Sequence, residues 1–334
     1  VGLLVVGQGS VEFLAAGYVA AGAIGLGIFG AHLVKLLRQR RSAEDPDARS
    51  IEFPIRELLT FSLPLLTTDL VFMALAASDV IMLDIFGSAE DVASLRAVMP
   101  TAKLNQIVLA SFGILYVPFV ARLFARGDHE GIGKRYWQTA SWVVFLTFPI
   151  LITSLLFADE LTGGLLGESY ADSAPILAVL ALGYSTNAFF GFNGMTLNVF
   201  RAITFVVTAN ILAVIANIGL NLAMIPSWGP IGAAAATAST FLVHNLLKQW
   251  GLIRKAGVGG FSRPIARLYA TVAACTGLAI LGGLTLDLHF AIRLAYIPIA
   301  TWVVLMAARH VLSLDETFPI VARLPLIRRL TRTN

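Results

Sequence analysis

The chain has 334 residues, of which 57% are hydrophobic and only 13% charged, and its mean hydropathy is +0.80. Soluble domains carry about 25% charged residues, so this chain cannot clothe a water-facing surface of its length, and lipid is its expected solvent. The formal charge of +4 is divided among short loops rather than gathered in a basic domain, which excludes nucleic acid as a partner.

In hydrocarbon the backbone has no water partner, so only helices and closed barrels can span. The apolar runs here are long and continuous, unlike the roughly 10-residue alternating strands of a barrel. The sequence predicts an all-α polytopic membrane protein of about nine transmembrane helices, at roughly 12–36, 58–84, 102–124, 138–158, 174–198, 202–225, 229–250, 264–286 and 290–312. The chain begins at Val1 rather than Met, and no signal peptide precedes the first run, so an N-terminally incomplete chain is expected.

The first span carries a small-residue seam, Gly17, Ala21 and Gly25. It is followed by "KLLRQRRSAEDPDARSIEFPIRE", the only long polar connection, whose middle reads as a flexible linker. Basic and non-basic loops alternate from there on. Arg122, Arg126, Lys134 and Arg135 share one loop, Arg201 marks a short turn, and Lys248, Arg254, Lys255, Arg263 and Arg267 fall in a third. "ADELTGGLLGESYADS" and "PSWGP" contain no Lys or Arg. Lys and Arg concentrate on the cytoplasmic side, so the Arg-rich loops and the C-terminus are expected there, in the cytoplasmic membrane, with Val1 outside.

The second span contains Asp69 and Asp79. A charge at a helix centre costs about 2.5–3.5 kcal/mol on insertion scales. Each acid therefore either faces a polar cavity, where it binds a proton, a cation or a sugar hydroxyl, or is neutral, paired or interfacial. Asp84 reads as solvated. Lys103 near the outer end of the next span either snorkels or meets an anionic head group, with Gln106 one turn on. Asn187, Gly191, Gly194 and Asn198 repeat on one helical face, and Asn210, Asn217 and Asn221 stripe the following helix. Such stripes either bond helix to helix or line a sugar-sized cavity with groups that both donate and accept. Gly232, Ala236, Thr240, His244 and Lys248 follow four apart, permitting close packing, with His244 expected to be a packed residue. Pro64, Pro118 and Pro149 lie within spans. Five Trp residues (Trp137, Trp142, Trp228, Trp250 and Trp302) lie mostly near span ends, as interface belts do.

Catalysis finds little support. The one cysteine, Cys275, lies in an apolar run, no two of the five histidines stand at a metal-ligand spacing, and no phosphate loop or nucleophile–base pair is visible. Metal sites and cofactors are not expected, beyond a possible coupling to a cation or proton gradient.

The order of several stretches resembles a known family. "RELLTFSLPLLTTDLVFMALAASDVIMLDIFGSAEDVASLRAV" is similar to the first helix of a lobe in the oligosaccharide-flippase branch of the multidrug/oligosaccharidyl-lipid/polysaccharide exporter (MOP, MATE-like) superfamily, with Pro64 and Asp79 matching its pattern. "LYVPFVARLFARGDHEGIGKRY" resembles the second helix and its cytoplasmic loop. Leu166-Gly167-Glu168-Ser169-Tyr170 stands where the family has Phe-Gly-x-x-Tyr, and "NIGLNLAMIPSWGPIGAAAAT" resembles its asparagine-rich helix, turn and Gly-Ala-Ala start.

The resemblance covers about residues 55–255. It implies two six-helix lobes around a cavity, a known transporter arrangement. On that basis 1–37 is the last helix of a mostly missing first lobe and 38–57 a cytoplasmic linker. Residues 58–256 form the C-terminal lobe, 257–313 two additional helices and 314–334 a basic cytoplasmic tail. The implied function is alternating-access transport of a lipid-linked oligosaccharide or polysaccharide unit, not an enzymatic one. Membrane lipids and polysaccharide-assembly proteins are the expected partners. Asp69, Asp79, Lys103, Asn187, Asn210, Asn217 and Asn221 are the cavity candidates. The alternatives are a cation-coupled multidrug exporter of the same superfamily and, less well supported, a membrane glycosyltransferase or polymerase.

Overall fold

The structure is a computed structural model that describes residues 11–42, 70, 73–75, 77–286 and 289–312. Asp69, Pro64, most of the linker and the basic tail lie outside the described residues. The chain divides into two units, Val1–Leu58 and Leu59–Asn334. In the first, α1 (Val11–Ser42) is one continuous helix of 32 residues. It runs past the expected end of its apolar stretch because Lys, Leu, Arg and Gln, which follow, are all good helix formers.

Among its described residues the second unit is built of helices joined by short turns, without strands. Helix α2 covers 77–86, and α3 (Ala89–Ala102) begins at once. Ser88 closes a capping box with Asp91: the Asp91 N–H donates to Ser88 Oγ and the Ser88 N–H to Asp91 Oδ2, satisfying two of the donors that a helix start leaves free. The predicted spans left 85–101 as a connection, and α3 fills most of it. A further helix, α4 (Leu104–Ala125), follows after Lys103, so Lys103 sits at the junction of two helices, directly before an apolar stretch long enough to span. The 14 residues of α3 place about 21 Å of helix before it.

After Asp128, which caps Gly131 N–H at 2.8 Å, α5 (His129–Leu156) returns. A π-turn (Glu160–Leu166) and a 3-10 turn (Glu168–Ser173) lead into α6 (Ala174–Phe190) and α7 (Phe192–Val199), which meet at Gly191. Helix α8 (Ile203–Ala256) is 54 residues long. It folds back at Gly229, whose φ of 53° and ψ of −134° belong to glycine alone. The two arms pair antiparallel about this point. Asn210 meets His244 at 2.9 Å, and a Cβ on Gly232 would stand 2.4 Å from the Met224 carbonyl. "PSWGP" is thus the tight turn of a helical hairpin. Helices α9 (Arg263–Thr285) and α10 (Phe290–Leu312) complete the unit.

Among the described residues six helical stretches are long and apolar enough to cross a membrane, and one of them is the folded-back α8. Three apolar cores run along the bundle, one of them gathering Leu109, Val120, Ile132, Phe192 and Leu252 from α4, α5, α7 and α8. Leu95, Val98, Leu177, Leu180, Ala233 and Ala234 pack α3, α6 and the second arm of α8, while Val144, Phe148, Leu268 and Val304 join α5 to α9 and α10. The outside is equally apolar: Ile114, Leu115 and Ile299 are exposed. An apolar core with an apolar surface is the pattern of a multi-pass membrane protein. Trp137, expected in an interface belt, is instead buried, donating from Nε1 to the Gly260 carbonyl at 2.9 Å and packing on Tyr136 and Phe261. Trp228, Trp250 and Trp302 are exposed.

Candidate functional site

Many of the buried polar side chains fall into two groups. The first surrounds Asp79. Helix α2 carries Ser78 and Asp79 against the hairpin, where Asn217 and Asn221 occupy successive turns of the first arm and Thr237 faces them from the second. Asn221 Nδ2 donates to Asp79 Oδ1 at 2.7 Å and to Asn217 Oδ1 at 3.1 Å, and the Thr237 hydroxyl donates to Asp79 Oδ2. Ser78 Oγ donates to Asn217 Oδ1 at 2.7 Å. Asp79 is 2% exposed, so its cost in lipid is met by hydrogen bonds rather than by water. Asn217 Nδ2 and Asn221 Oδ1 are buried without a partner among the described residues. Asn210, with His244, holds the two arms together farther from the turn at Gly229.

The second group begins at Gln106. Its Nε2 donates to the Tyr184 carbonyl at 2.9 Å, and its Oε1 accepts from Asn187 Nδ2 at 3.0 Å. Asn187 Oδ1 accepts from Asn245 Nδ2 at 3.0 Å, and Asn193 Nδ2 donates to the Asn245 carbonyl at 3.0 Å. Asn105 Nδ2 donates to Ser185 Oγ at 2.5 Å alongside. These amides border a cavity of about 300 Å³ that Asn187, Gly191, Gly194 and Asn198, the single face of the sequence pattern, line together with Gln106 and Lys248. Lys103 is half-buried, its ammonium 5.5 Å from the centre of the Tyr184 ring.

The structure therefore brings Asp79, Asn217 and Asn221 into one network, puts Asn187 on a cavity wall, sets Asn210 between the arms, and leaves Lys103 at the α3–α4 junction. Sequence reasoning passed over Thr237, Ser78 and Asn245, and it counted Lys248 as a loop charge. Lys248 is 5% exposed, because α8 continues as helix to Ala256. The four-residue spacing from His244 was the signal that put it on the packed face. No cluster of His, Cys, Asp and Glu able to hold a metal occurs among the described residues.

No family model matches the chain. Over 169 residues it is 22% identical to the "Probable low-salt glycan biosynthesis flippase Agl15" of Haloferax volcanii, covering 51% of this chain and 36% of that protein. It is 24% identical over 202 residues to the "Uncharacterized membrane protein MJ1068" of Methanocaldococcus jannaschii, covering 59% of this chain and 39% of that one. Its fold matches the structure described as "Lipid II flippase MurJ, inward closed conformation" with a TM-score of 0.57 at 14% identity, over 83% of this chain and 58% of that one. The chain resembles flippases of the MOP type. It spans less than half the length of the curated relatives it matches, and against the structural neighbour it spans somewhat more than half.

Proposed function

We propose that the protein is a flippase that moves a lipid-linked oligosaccharide or polysaccharide unit across the cytoplasmic membrane by alternating access, with its C-terminus in the cytoplasm. The observation that carries this reading is the joint likeness to a named glycan flippase in sequence and to a named lipid II flippase in fold. The amide-walled cavity inside a bundle of apolar surface supports it, since amides suit sugar hydroxyls that donate and accept. In this reading residues 58–256 act as one lobe, 257–313 as an additional helix pair, and α1 as a helix of the opposing lobe, joined by the linker. In the same reading Asn187, Lys103 and Asp69 meet substrate, whereas Asn217 and Asn221 serve through Asp79, and Asn210 through the hairpin.

The test is restoration of glycan export in a strain lacking its flippase, together with movement of a fluorescent lipid-linked oligosaccharide in proteoliposomes. No movement by well-folded protein expressed from its full reading frame rejects the reading. A second reading, a cation-coupled exporter, is favoured by the buried Asp79 carboxylate. Drug efflux that is lost in Asp69→Asn or Asp79→Asn, without any glycan phenotype, selects it.

A further inference from the structure

Lys248 is the side chain that the helical core does not explain. It is 5% exposed, borders the 300 Å³ cavity, and among the described residues its ammonium makes neither a hydrogen bond nor an ion pair. A buried charge is tolerated when it is paired. No Asp or Glu lies among the residues lining that cavity. The one buried acid among the described residues, Asp79, is held by Thr237, 11 residues and about 16 Å along the same helix arm, well beyond pairing distance. The cavity also holds uncommitted neutral groups. Asn198 lines it, and while its backbone carbonyl accepts from Arg201 N–H, its side-chain amide makes no hydrogen bond to the described residues. Gly194 opens the wall, since a Cβ there would stand 3.3 Å from Lys248 Nζ. An ammonium in a wall of amides, with no fixed negative charge, is complementary to a compact oxyanion. Arg254 and Lys255 follow within two turns of the same helix and add positive potential at that end.

We propose that the Lys248 cavity is an oxyanion site that takes a phosphate group, with Lys248 as the point charge and the Asn198 amide as a neutral donor. A phosphate carried on a lipid and free inorganic phosphate present the same chemistry. If the flippase reading holds, the ligand is the phosphate of the lipid carrier, and this site fixes the head group while the glycan occupies the rest of the cavity. The site itself stands on Lys248 and does not require transport.

The test is binding, measured apart from transport. The intact protein is placed in phosphatidylcholine nanodiscs and titrated calorimetrically with inorganic phosphate and, separately, with a short-chain polyprenyl phosphate. Saturable binding is expected, weakened about tenfold in Lys248→Gln and retained in large part in Lys248→Arg, with thermal unfolding showing each variant folded. Asn198→Ala, at the cavity wall, is the second variant and is expected to weaken binding about threefold. Tighter binding of the polyprenyl phosphate, displaced by inorganic phosphate, identifies a lipid head group. Binding of inorganic phosphate alone identifies a soluble anion. Absence of binding by the wild-type protein, or equal binding by wild type, Lys248→Gln and Asn198→Ala, overturns the proposal. Because binding is read without flipping, a protein that binds phosphate but moves no glycan retains the site and rejects only the flippase reading.

Discussion

Both carboxylate oxygens of Asp79 accept hydrogen bonds from the hairpin, one from Asn221 and one from Thr237. Truncation to alanine leaves unpaired one N–H of Asn221, whose Nδ2 still donates to Asn217 Oδ1, and the Thr237 hydroxyl, and each unpaired group costs about 1–3 kcal/mol. Asp79→Ala is therefore expected to destabilise the protein by about 2–4 kcal/mol, visible as a clear fall in thermal unfolding temperature in detergent. Asp79→Asn keeps the shape and an acceptor for Asn221, and the Thr237 hydroxyl can turn to accept from the new amide. Its loss is expected to be under about half that of alanine. Equal losses would mean that the negative charge, not the hydrogen-bonded shape, holds the arms. Asp79 was legible as an in-span acid, and the asparagine stripe was legible as a stripe. Their joining was not, because Asp79 and Thr237 are 158 positions apart and only the fold sets such a pair side by side. Lys248 was hidden for a different reason: a cation near a span end looks like a loop residue unless the helix is known to continue beyond it.

At the scale of elements, α6 and the second arm of α8 approach closely, since a Cβ on Gly183 would lie 2.7 Å from the Ala238 Cα. Backbone cannot yield there as a flexible side-chain end would, so Gly183→Ala is expected to wedge the helices apart at a cost of about 1–3 kcal/mol, and Gly183→Leu to abolish accumulation of folded protein. Fluorescence-detected size exclusion measures both. Gly229 presents a different constraint. Its φ of 53° combined with a ψ of −134° is closed to residues with a Cβ, so Gly229→Ala is expected to lower stability by about 1–3 kcal/mol although nothing lies within 4 Å of the added Cβ. The hairpin was readable from the sequence since Pro226, Gly229 and Pro230 interrupt an otherwise continuous apolar run. The start of α3 was not, because Glu90, Asp91 and Arg96 gave it the polarity of a loop while the Ser88–Asp91 capping box quietly began a helix.

For the whole molecule, the apolar surface fixes lipid as the solvent, and the alternation of basic loops proposes a direction across it. Lys and Arg are held on the cytoplasmic side during insertion, so the turns at Arg126 and Arg201 should face the cytoplasm, and the turns at Ser88 and Ser227 should face outward. All four residues are exposed, and the one native cysteine, Cys275, is buried, so a Cys275→Ala background leaves the labelling pattern clean. In intact cells a membrane-impermeant maleimide is expected to modify Ser88→Cys and Ser227→Cys and to reach Arg126→Cys and Arg201→Cys only after the membrane is opened. The reverse pattern inverts the protein. Labelling of Ser88→Cys and Ser227→Cys from opposite sides would break the shared end that the Asp79 network requires, because that network ties α2 to both arms of the hairpin within a few turns of each position. The labelling thus separates two properties that the charge pattern alone merges: whether the bundle is assembled as described, and which way it faces.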